Sequence, residues 1–121
     1  MAYTSFEDLD VWKESCRLSV SVHELFLDSK CYAMRDQILR SSISNPSNIA
    51  EGAERGTVKD YIRFLHYAKG SSAELRTQLY LSAKMNLISA DDAKNLAQSA
   101  TKISKQLQAL IKALEKRIPK T

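Results

Sequence analysis

Ser89-Ala-Asp-Asp-Ala-Lys-Asn-Leu-Ala-Gln-Ser-Ala-Thr-Lys-Ile-Ser-Lys-Gln-Leu-Gln-Ala-Leu-Ile-Lys-Ala-Leu-Glu-Lys-Arg117 decides the fold class. Ala93, Leu96, Ala100, Ile103, Leu107, Leu110 and Leu114 recur at alternating steps of three and four, the spacing that puts side chains on one face of an α-helix. Ser89 with Asp92 three residues on makes a helix-start signal, because a hydroxyl can accept an amide left free in the first turn and an acid suits the helix dipole. Lys94, Lys102, Lys105, Lys112 and Lys116 fall away from the apolar seam and therefore form an outward basic face. Pro119 ends the pattern.

Working back toward the N-terminus, Thr57 and Asp60 open another helix that runs to about Met85 or Asn86. Tyr61, Leu65, Ala68, Ser72, Leu75, Leu79 and Ser82 keep the same alternation. Gly70-Ser71-Ser72-Ala73 lies in its middle, where glycine costs roughly 1 kcal/mol relative to alanine. A patch so small predicts close approach by a second helix. A third start signal, Ser5 with Asp8, opens a helix over about 6–28. It carries two stripes, one of Leu9, Trp12, Cys16, Ser19, His23 and Phe26, the other of Val11, Leu18, Val22 and Leu25. Two stripes predict a bundle helix that also meets another subunit.

The remaining segment, about Tyr32 to Arg55, contains Pro46, which lacks an amide donor and clashes one turn back. Asn45 before it is pushed away from helical angles, so the segment is either one kinked helix or two short ones. Gly56 is placed to close it in the left-handed conformation. Four helices joined by connections of a few residues pack as antiparallel neighbours, giving an all-α, up-and-down four-helix bundle as one domain over residues 1–121. Three glycines and two prolines are too few for the turns of an all-β fold.

Composition excludes several function classes. No apolar run approaches the roughly 18 residues needed to span a bilayer. The first ten residues carry three acids and no base, unlike a leader peptide, so a cytoplasmic location is the expectation. Cys16 is expected in the core and Cys31 at a helix connection, both as free thiols. His23 and His66 match no ligand or nucleophile–base spacing, and no Gly-rich phosphate loop, HExxH, GxSxG or paired Glu-x-x-His motif occurs. No catalytic residue, metal or cofactor is therefore assigned. The charge is uneven: residues 1–92 hold eleven Lys/Arg against thirteen Asp/Glu, whereas residues 93–121 hold seven against one. A basic C-terminal quarter on a near-neutral body suits an acidic partner such as RNA or DNA. The five tyrosines, Tyr3, Tyr32, Tyr61, Tyr67 and Tyr80, are dispersed and make no evident stacking platform beside it.

The densest polar constellation is Arg40-Ser41-Ser42-Ile43-Ser44-Asn45-Pro46-Ser47-Asn48-Ile49-Ala50-Glu51-Gly52-Ala53-Glu54-Arg55. Ser41, Ser44, Asn48, Glu51 and Arg55 share one face at steps of three and four if the helix persists. Glu74 of the following helix can join them. The stripe is either a binding surface or, the preferred reading, a polar network between helices with Arg40 or Arg55 neutralising Glu51 or Glu74. Such a network fixes register more than it adds stability.

Ser44-Asn-Pro-Ser-Asn-Ile-Ala-Glu-Gly52 resembles the signature of the 23S rRNA intervening-sequence proteins, also called the "four helix bundle protein" family. Phe6-x-x-Leu9-x-x-Trp12, Gln37-x-x-Arg40 and Phe64-Leu65-x-x-Ala68-x-Gly70-Ser71-x-x-Glu74-Leu75 resemble further parts of that family in order. The short connection Asp28-Ser29-Lys30-Cys31 departs from the longer link the family often has. The resemblance implies a four-helix bundle assembled into a ring-like homopentamer, without enzyme activity. It gives Arg40, Ser44, Asn48, Glu51, Arg55 and Glu74 as a motif network, with Gly52, Gly70 and Ser71 as close-packing positions. A similar accessory protein of diversity-generating retroelements binds nucleic acid and a reverse transcriptase. The expected function is thus a non-enzymatic oligomeric accessory protein binding RNA or DNA through the fourth helix. The alternatives are a protein-interaction scaffold and, with least support, a hydrolase or transferase built around Asn48 and Glu51.

Overall fold

In the computed structural model, which describes residues 5–119, four helices follow one another: α1 (Asp10–Phe26), α2 (Tyr32–Glu54), α3 (Val58–Lys84) and α4 (Ala90–Glu115). Tyr3 lies outside the described residues. The short connections fold α2 back on α1, α3 on α2 and α4 on α3, and α1 closes the ring of helices against α4. This is the expected antiparallel four-helix bundle.

Two of the three start signals act as read. The Thr57 hydroxyl accepts the Asp60 amide at 3.1 Å and Ser89 accepts that of Asp92 at 3.0 Å. Each satisfies a donor that the helix itself leaves free. The third starts something smaller. Ser5 caps a 3-10 turn over Phe6–Asp8, Leu9 is extended, and α1 begins only at Asp10. The turn places Phe6 edge-on against Trp12, with ring centroids 5.2 Å apart.

The core follows the helical period. In α3 it comprises Phe64, Leu65, Ala68, Ser71, Ser72, Leu75, Leu79 and Ser82, and in α4 Ala93, Ala97, Ala100, Ile103, Leu107, Ile111 and Leu114. The α1 face differs from expectation. Val11, Ser15, Leu18, Val22 and Phe26 are buried. Of the other stripe, Leu9 and Trp12 pack partly against the core, Cys16 and Ser19 are half-buried, and His23 is exposed. Both stripes have helical spacing, so the period alone did not say which one faces inward. Cys16 is therefore an edge residue, not a core one.

The second helix runs unbroken through Pro46. Asn45 stays helical, contrary to the local bias of a residue before proline, because its buried side-chain amide donates to the Ala68 carbonyl of α3 at 3.0 Å. The closing residue is also different. No glycine has positive φ; Arg55 after α2 is extended, and Gly56 is exposed. The left-handed residue is Asn86 (φ 61°) after α3. Its amide bonds to the Ala83 carbonyl at 3.0 Å and that of Leu87 to Ser82 at 2.9 Å, the paired pattern that satisfies the last carbonyls of a helix. Asparagine tolerates this conformation better than other non-glycine residues.

Candidate functional site

The polar constellation of α2 lies along its seam with α3. The Ser44 and Ser71 hydroxyls are 2.8 Å apart, and the Asn48 side-chain amide donates to the Ser44 carbonyl at 2.9 Å and to its hydroxyl at 3.0 Å. Ser41 is buried in the same region with no partner for its hydroxyl. Small side chains let the two backbones come close, and Gly52 is where this matters most. A Cβ there would stand 2.7 Å from the Phe64 Cβ and 3.2 Å from the Tyr61 carbonyl oxygen.

The charged members are not buried with the serines. Arg40 pairs with Glu74 at 3.2 Å and also donates to Gln37, while Arg55 pairs with Glu51 at 3.2 Å, all on the exposed flanks. Screened pairs of this kind contribute about 0–1 kcal/mol. The network is therefore neutral inside and charged only at its rims. Gly70 faces away from the bundle, with nothing within 4 Å of a Cβ built on it. No helix of the same chain approaches Gly70 itself, whereas its neighbours Ser71 and Ser72 meet α2 and α4 as expected of that patch.

Serines continue the polar line across the bundle. Ser72 donates to the Ala100 carbonyl at 2.8 Å, Ser104 to Ser72 at 2.9 Å, and Ser19 to Ser42 at 3.4 Å. Asn45 and Ser104 were missed in the sequence, although Asn45 shares the period of Ile38, Ile49 and Gly52. Nothing in the line pairs a nucleophile with a base. His23 and His66 are exposed and distant in sequence, and among the described residues no group of three or more His, Cys, Asp or Glu is placed to hold a metal. Burial pushes the Cys16 thiol above its ordinary range, with neighbouring Arg17 pulling the other way. The half-buried Tyr61 phenol is raised in the same manner, countered by Arg117. Both groups are thus less ionised, and less reactive, than their free forms.

The basic face of α4 is where charge accumulates. Lys94, Lys102, Lys105, Lys112 and Lys116 are all exposed. At 100° per residue, Lys94, Lys105, Lys112 and Lys116 share a stripe about 40° wide and about 33 Å long. That stripe lies on the edge of α4 toward α3. On the same edge Thr101 accepts from Arg76 of α3 at 3.1 Å and Gln108 accepts from Lys69. Lys102 stands apart, turned toward α1 and paired with Glu14 at 2.8 Å. The other four make no ion pair among the described residues. With Lys69, Arg76 and Lys84 across the seam, they give one long basic surface shared by α3 and α4. Asp91 and Asp92, in the first turn of α4, lie at one end of it.

Among the described residues no helix is long and apolar enough to cross a membrane. No curated protein shows significant similarity to the chain. The crystal structure, at 1.70 Å, of a protein of unknown function from the S23 ribosomal protein family of Bacteroides thetaiotaomicron superposes with a TM-score of 0.80 at 27% identity. The match covers 84% of this chain and 98% of that one. The family model of the 23S rRNA-intervening sequence proteins matches residues 7–109, which include the whole α2–α3 seam and most of α4. With both its polar seam and its helix order inside that match, the chain belongs to the 23S rRNA-intervening sequence protein family.

Proposed function

We propose that this protein is a non-enzymatic, oligomeric accessory protein that binds RNA or DNA through the basic face of α4. The observation that carries the reading is the exposure of all five lysines, four of them in one stripe free of ion pairs among the described residues. A row of unneutralised cations along about 33 Å can face several phosphates of one nucleic-acid strand. The polar α2–α3 seam is structural in this reading. Its serines and asparagine bond one another, and its charges pair at the rims.

Assembly belongs to the same proposal. Val20 and Ile43 are 57% and 56% exposed and line one depression with Ser19, His23, Leu39 and Ser42, between α1 and α2. An apolar face on the side of the bundle away from the α3–α4 seam suits a second copy of the chain, and the family resemblance favours a ring of five. The lysine stripe then remains outside the contact, and each copy repeats it. If the α1–α2 face receives a different protein instead, the chain is a scaffold, and a pull-down with proteins encoded beside it distinguishes the two.

Fluorescence polarisation with a structured RNA and a DNA duplex, titrated at several salt concentrations, tests the binding. Saturable binding that weakens steeply with salt is expected. Absence of binding at low salt overturns the proposal.

A further inference from the structure

Tyr80, one of the dispersed tyrosines, sits inside the basic surface. It is 55% exposed, and its hydroxyl makes no hydrogen bond among the described residues. Two depressions meet at this side chain. One, of about 410 Å³, is lined by Tyr80, Ala83, Lys84, Ala90, Ala93 and Lys94, and is mostly apolar. The other, of about 330 Å³, is lined by Tyr80, Gln98, Thr101, Lys102 and Lys105. Tyr80 is the residue common to both. Each recess therefore joins an aromatic wall to lysines, and the second adds the side-chain amide of Gln98.

We infer that the α3–α4 surface binds single-stranded nucleic acid, with unpaired bases seated in the recesses against Tyr80 and the backbone following the lysines. This rests on the nucleic-acid reading above and narrows it. Lysines alone bind duplex and single strand alike, since both present phosphates. A recess with an alanine floor and an aromatic side takes a flat apolar ring, and in a duplex those rings are stacked inside. The charges fit the same occupant. Lys84, Lys94 and Lys105 at the rims have no ion-pair partner among the described residues, whereas Lys102 is already neutralised by Glu14.

The test uses the full chain, a fluorescent 20-nucleotide oligothymidylate, an oligouridylate of equal length and a mixed-sequence DNA duplex. The wild type is compared with Tyr80→Ala and Tyr80→Phe, with circular dichroism as the check that the exposed substitutions leave the helices intact. Tyr80→Ala is expected to weaken single-strand binding about 5- to 150-fold, the range for one lost base-stacking contact, without changing the salt slope. Tyr80→Phe should keep near-wild-type affinity, and duplex binding should respond to neither. Equal loss for duplex and single strand, or no effect of Tyr80→Ala on either, overturns the stacking site while leaving the α4 reading standing. No binding of any probe at low salt overturns both.

Discussion

Two glycines inside helices do opposite things at the scale of single residues. Gly52 is buried where α2 meets α3, and a methyl group there collides with Phe64 and the Tyr61 backbone. Neither neighbour is the far end of a flexible side chain. Gly52→Ala is therefore expected to destabilise by about 1–3 kcal/mol, read as a lower denaturant midpoint. Gly70 is exposed in mid-helix with open space around it. Gly70→Ala should stabilise the fold by about 0.4–1 kcal/mol, because alanine restricts the unfolded chain without meeting anything in the folded one. The sequence already held this difference. Gly70 is two positions from both Ala68 and Ser72, which puts it on the far side of α3 from the core. Smallness had suggested a close approach, but smallness does not say on which side.

The helix ends show how far local chemistry reaches. Thr57 and Ser89 cap as their spacing predicts, since the bond is made within four residues and needs no tertiary partner. Ser89→Ala should cost about 1 kcal/mol. Asn86→Ala should cost a similar amount, about 1–2 kcal/mol, because alanine gains nothing from the left-handed conformation that asparagine tolerates. Both are measurable by chemical denaturation. Elements whose outcome depends on partners were less legible. Pro46 does not break α2, because the surrounding helix is held from outside by Asn45 on the Ala68 carbonyl and by the close α2–α3 contact at Gly52. Choosing between the stripes of α1 likewise needed α2 and α4. The α3 and α4 cores were largely readable, with Leu65, Ala68, Leu75, Leu79, Ala100, Ile103, Leu107 and Leu114 buried as their seams predicted, but Leu96 and Leu110 pack only at the edge while Ala97 and Ile111 enter the core. Tyr80 is the clearest case for the site. It is a lone aromatic in sequence, and only the pairing of α3 with α4 sets it beside Lys105 and Lys94.

At the scale of the whole molecule, an exposed apolar depression and the lysine stripe lie on different sides of the bundle. Val20 and Ile43 mark the α1–α2 side and the lysine stripe marks the α3–α4 side. If the first is the contact between copies, Val20→Glu with Ile43→Glu should lower the particle mass toward one chain in analytical ultracentrifugation while helicity is kept. An unchanged mass places the contact elsewhere. The basic side carries the central claim, that α4 presents its lysines to nucleic-acid phosphates. The most direct measurement is the slope of log Kobs against log salt for one single-stranded oligonucleotide, comparing wild type with the variant Lys105→Gln/Lys112→Gln. The account predicts a steep wild-type slope that becomes shallower in the variant by about 0.7 for each lysine removed. Identical slopes in the two proteins, or no binding by the wild type at low salt, would contradict it.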